Sequence, residues 1–109
     1  TSYYSRQISQ RAIDFTLKRA TTAEEEGRLG DALKLYQRLV ELKPEGAYKA
    51  RLEQLLAKAE ETFDSAEKMM KRDPAKAVQL FQAVIDSTPR DHQLHIRAEA
   101  KLVWLKEGL

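Results

Sequence analysis

The sequence predicts an all-α fold: about five antiparallel helices in an α-α superhelix, a helical-repeat arrangement with short helices alternating with long ones. Three observations carry this. Between a few glycine and proline breaks the composition is Ala, Leu, Glu, Lys, Gln and Arg, the residues that favour helix. Apolar residues recur at steps of three and four, and no bounded run alternates apolar and polar as a strand would. The breaks (Gly27, Gly30, Pro44-Glu45-Gly46, Asp73-Pro74, Pro89-Arg90-Asp91 and Gly108) fall between the periodic stretches.

The first predicted helix runs from about Tyr3 to Gly27. Tyr4, Ile8, Ala12 and Phe15 form one apolar stripe, with Ile13, Leu17 and Ala20 beside it. The second starts near Asp31, whose charge suits a helix N-terminus, and stops at Lys43 before Pro44. Ala32, Leu35, Tyr36, Leu39, Val40 and Leu42 cover more than half its circumference, so it is expected to pack on two sides.

The third spans roughly Ala47 to Arg72, with Tyr48, Leu52, Leu55, Ala59, Phe63, Ala66 and Met70 in unbroken helical register. Asp64-Ser65-Ala66-Glu67 has the form of a capping box, but a continuous helix about 40 Å long is expected. Asp73-Pro74 is a specific start signal for the fourth, which runs to about Ser87 with Ala77, Leu80, Phe81, Val84 and Ile85 apolar. The fifth runs from about Asp91 to Glu107 on Leu94, Ala98, Leu102 and Leu105, with Val103 and Trp104 widening that face.

The second and fourth helices repeat. At a shift of 45 residues Ala32 falls on Ala77, Leu35 on Leu80, Tyr36 on Phe81 and Pro44 on Pro89. For the following helix a shift of 48 sets Tyr48-Lys49-Ala50 on Ile96-Arg97-Ala98 and Leu55-Leu56 on Val103-Trp104. The chain thus reads as one domain, with units at about 3–44 and 47–89 and a final helix at 91–107.

These residues resemble tetratricopeptide repeats. Gly27-Arg28-Leu29-Gly30-Asp31-Ala32-Leu33-Lys34-Leu35-Tyr36, closed by Pro44, is similar to the second half of such a repeat: a small residue, an aromatic four residues on, and a terminal proline. Ala77, Phe81 and Pro89 match the same spacing. The period exceeds the family's ~34 residues through the long third helix. The resemblance implies a scaffold or adaptor module that binds a partner helix or peptide. It does not imply the family's carboxylate clamp: the chain has no asparagine, and Leu17 and Thr21 stand at clamp positions. A second stretch, Tyr48-Lys49-Ala50-Arg51 with Leu56-Ala57-Lys58-Ala59-Glu60, is similar to the third helix of MIT domains, with Ala12 through Tyr36 as the first two helices. That resemblance implies binding of ESCRT-III-type tails.

Composition bounds the chemistry. The chain has 109 residues, is 42% hydrophobic and 33% charged, and has no cysteine, which excludes disulfides and thiolate metal sites. No apolar run approaches the ~18 residues of a membrane span. The first residues carry no apolar signal core, and Thr1 in place of methionine suggests a fragment or a processed chain. An intracellular, cytoplasmic setting fits these features. The 19 basic and 17 acidic residues are interspersed, giving a net charge of +2. Lys68, Lys71, Arg72 and Lys76 read as charges placed near a helix C-terminus, so no nucleic-acid partner is expected. Glu24-Glu25-Glu26 reads as solvated surface, Met69-Met70 as core filler, and His92 and His95 as solvent-facing, with no third ligand at a metal spacing. No glycine-rich phosphate loop and no nucleophile–base arrangement stands out, so no enzyme activity, cofactor or metal is expected.

What remains is a protein-binding surface. Polar positions at helical spacing form two stripes: Arg11, Lys18 and Thr22 on the first helix, and Arg51, Gln54, Lys58, Glu61 and Ser65 on the third. Either is expected to receive a helix or extended peptide of another protein, or a neighbouring domain of the same chain. Trp104 aligns with Leu56 and is therefore expected in the core; left uncovered, it would dock a following repeat, a partner or a second copy through the C-terminal helix. The alternative is a regulatory helical segment packed on a larger enzyme.

Overall fold

The computed structural model describes the backbone of residues 3–108 and the side chains of residues 9–107. Among these residues the chain forms five α-helices and no strand: α1 Tyr3–Glu25, α2 Leu29–Leu42, α3 Tyr48–Arg72, α4 Pro74–Asp86 and α5 Gln93–Gly108. The molecule is a rod of 60 × 21 × 20 Å.

Local chemistry explains the turns. Gly27 sits at φ 77°, donates its N–H to Glu24 O and leaves Arg28 N–H to reach Ala23 O, a Schellman close to α1. The reversal is tight enough for α2 to begin at Leu29, two residues before Asp31; the Asp31 carboxylate accepts from Arg28 (3.1 Å) and does not cap the helix. Asp73 serves two helices. Its N–H closes α3 on Met69 O, and its carboxylate takes the Lys76 N–H at 3.1 Å to open α4 ahead of Pro74. α5 starts at Gln93 because the His92 ring nitrogen accepts the Leu94 N–H.

α3 is continuous through Phe63–Asp64, so the Asp64–Glu67 capping-box pattern does not end a helix. Its length joins two cores. Its first half packs Tyr48, Leu52 and Leu55 onto the core that α1 and α2 form from Ile13, Ala20, Ala23, Ala32, Tyr36 and Leu39. Its second half sets Ala59, Phe63 and Ala66 against Ala77, Phe81 and Val84 of α4 and Leu94, Ala98, Leu102 and Leu105 of α5. Phe63 and Phe81 meet edge to face at 5.4 Å between ring centres, and the Arg97 guanidinium lies 4.6 Å over Phe63.

Burial corrects the repeat register for the long helices. Leu52 and Ala98, Leu56 and Leu102, and Ala59 and Leu105 face inward as equivalent positions, a shift of 46 and not 48. Two residues turn a helix by about 200°, which reverses the face. Trp104 therefore corresponds to exposed Lys58, and it is 63% exposed instead of buried. The α1 reading needs the same correction. Ile13 and Ala20 are buried, but Phe15 points out at 65% exposure; the Tyr4 and Ile8 side chains lie outside the described residues. His95, expected to face solvent, is buried.

Candidate interaction surfaces

Every residue of the two polar stripes is exposed, as is Trp104. The stripes do not share one groove. Arg51, Gln54, Lys58, Glu61 and Ser65 run along the outside of α3, whereas Lys18 and Thr22 line a cleft between α1 and α2 to which α3 contributes nothing; Arg11 lies on α1 beyond that cleft's lining.

Arg51 has a structural job as well. Its guanidinium donates to Gln54 (3.0 Å) and pairs with the Glu24 carboxylate, which also accepts from the Tyr36 hydroxyl (2.7 Å). Three helices meet at Glu24. The Arg51 hydrogen bond holds the Glu24 carboxyl below its ordinary pKa, and Arg51 is raised in return. Burial, then the Glu24 hydrogen bond, pushes Tyr36 up to about 12. The acidic run at Glu24–Glu26 is thus only partly solvated surface, and position 36 needs its hydroxyl where Phe81 of the second unit has none.

A second polar cluster closes the other core. The buried Thr88 hydroxyl donates to Val84 O at 2.7 Å. The Thr88 carbonyl can only accept, so the buried His95 Nδ1–H donates to it at 3.0 Å, while Nε2 lies 2.6 Å from Glu99. Sequence reasoning missed this site. The signal was present as Thr88, His95 and Glu99, with the last two one turn apart, but only the fold brings Thr88 to them. Its contacts are those of a tie between the α4 terminus and α5.

Two apolar features have no cover among the described residues. On α5, Ile96 (57% exposed), Val103 (54%) and Trp104 (63%) stand on one face with exposed Ala100 between them. Between α1 and α2, Phe15 borders an open groove of about 1130 Å³. Among the described residues no three His, Asp or Glu side chains come together in a metal-binding arrangement, and no helix is long and apolar enough to cross a membrane. No protein-family model matches this chain, and neither does any curated protein or solved structure.

Proposed function

We propose that this chain is a non-catalytic protein-interaction module, a helical-repeat scaffold that receives a helix of another protein on the outer face of α5. One observation carries the reading: Ile96, Val103 and Trp104 expose their side chains together, at positions i, i+7 and i+8 of one helix. The equivalent outer positions of α3 are Ala50, Ala57 and Lys58, so the repeat gives no structural reason for large apolar groups there. Ala100 at the middle of the face lets a second backbone approach closely, and tryptophan is enriched among residues that dominate interface energies.

Tetratricopeptide-like architecture supports this reading through the paired Ala32/Ala77, Tyr36/Phe81 and Pro44/Pro89 positions. The MIT-like reading ranks second, because a three-helix bundle packs its first and third helices along their length, whereas among the described residues the backbones of α1 and α3 stay apart and the two helices are tied by the Arg51–Glu24 ion pair. Trp104, the sole tryptophan, supplies the test. Emission of the free chain at low concentration is expected to be red-shifted and open to a quencher, and to shift blue when a binding partner is added. A blue shift with rising protein concentration alone assigns the face to a second copy. Emission that is already blue and protected at low concentration would refute the reading.

A further inference from the structure

The groove between α1 and α2 has a charge pattern of its own. Ala12, Phe15 and Leu35 give it an apolar strip; the buried Thr16 beside them turns its hydroxyl onto Ala12 O, and Gln37 flanks them. The groove's two helices supply cations on opposite sides, Lys18 and Arg19 from α1 and Lys34 and Arg38 from α2. None of these four forms an ion pair among the described residues; Arg19 instead lies 5.7 Å over the Phe15 ring. The carboxylates along the groove are Asp31, already taken by Arg28, and Glu41. Four unmatched cations thus face one unmatched carboxylate, although the whole chain carries only +2. From Ala12 to Thr22 and from Asp31 to Glu41 the lining covers about 15 Å of each helix, three turns.

We infer that this groove is a second docking site, and that its occupant is an acidic amphipathic helix of a partner protein. An apolar strip between cationic rims is the complement of a helix with an apolar seam flanked by Glu or Asp. A third helix laid on an α-hairpin completes the packing that the exposed Phe15 lacks, and the rims set its orientation and on-rate. A nucleic acid fits less well: its phosphates would cross the apolar strip to reach both rims, and Glu41 would oppose them. The inference is independent of the α5 reading.

The probes are three. One is a synthetic helical peptide of about 16 residues with a leucine seam and glutamate flanks. The second is the same seam with lysine flanks, and the third is a short single-stranded oligonucleotide. Each is titrated into the full isotope-labelled chain and followed by amide chemical shifts. The glutamate peptide is expected to bind, more weakly as salt rises, and to move α1 and α2 signals while Trp104 emission stays unchanged. The Lys34→Glu/Arg38→Glu double variant, altered only at exposed positions, is expected to weaken binding by roughly ten-fold or more, and Phe15→Ala to weaken it as well. The wild-type shift map does not depend on the variants' folding. Equal binding of the lysine peptide, tighter binding of the oligonucleotide, shifts confined to α5, or no binding by any probe would each overturn the inference.

Discussion

Gly30, in the first turn of α2, lies against the backbone of Thr88, two residues past the end of α4: a Cβ at position 30 would stand 3.0 Å from the Thr88 carbonyl oxygen. This is where the short helices of the two units touch, and the carbonyl is not free to move. It accepts from buried His95, and the Thr88 side-chain hydroxyl donates to Val84 O. Gly30→Ala is therefore expected to destabilise the fold by about 1 kcal/mol, the steric cost exceeding the gain in helix propensity. Gly27→Ala meets no atom, and its cost of about 1 kcal/mol comes from φ 77° alone. Chemical denaturation of both variants checks this. A stabilised Gly30→Ala variant would mean that α2 and α4 do not press together there.

Removing the other partner of that carbonyl has a different signature. His95→Leu leaves the buried Thr88 C=O without its donor and is expected to cost about 1–3 kcal/mol. Glu99→Gln touches the exposed end of the same cluster and is expected to cost under about 1 kcal/mol. The two values, measured by urea unfolding, should differ in that order.

Glu24 makes stability pH-dependent. Its folded-state pKa lies below the ordinary 4.5, so its contribution is fully present above that value and is lost as pH falls through the folded pKa. Glu24→Gln is expected to cost about 1 kcal/mol at pH 7, and the gap from wild type should close as pH drops below 4.5. Tyr36 acts at the other end. Its pKa is raised to about 12, so the stability it lends is present below pH 10 and lost as pH rises from 10 through 12. Tyr36→Phe should flatten that alkaline limb. Thermal melts across pH read both. A Glu24→Gln gap that persists unchanged at pH 3 would rule out the carboxylate as its source.

Ala32 and Ala77 are fully buried at matching places in the two cores. Leucine at either adds volume to a packed seam, at an expected cost of roughly 1–3 kcal/mol. Because the two sites lie in separate clusters, the double variant should lose close to the sum of the single losses. A double loss far from additive would mean that the clusters share one packing unit.

The alanine, aromatic and proline positions made the short helices legible in sequence, because a fixed offset ties three different residue types together. The long helices carry only Leu, Ala and Lys at many positions, so their register slips by two residues without a visible conflict, and that slip turns Trp104 onto the wrong face. Phe15 misled for a related reason. Its spacing with Ala12 is helical, but apolar spacing does not distinguish a core stripe from an uncovered one. The contacts of Glu24 with Arg51, and of Gly30 with Thr88, were illegible because each pair is distant in sequence and meets only once the helices have packed.

That length yields the last prediction. α3 contributes Leu52 and Leu55 to one core and Ala59 and Phe63 to the other, with exposed Ala57 between them. A proline at position 57 removes one helical hydrogen bond and clashes with the preceding turn, costing about 3 kcal/mol without touching either core. If the rigid helix transmits stability between the halves, wild type unfolds in one transition and Ala57→Pro in two, separable by amide signals of α1, which report the first core, and of α5, which report the second. Ala57→Gly, costing about 1 kcal/mol, should keep a single transition. A single, merely lowered transition in Ala57→Pro would mean that the halves are coupled elsewhere. The Gly30–Thr88 contact is the available route, so adding Gly30→Ala to that variant should then split the transition.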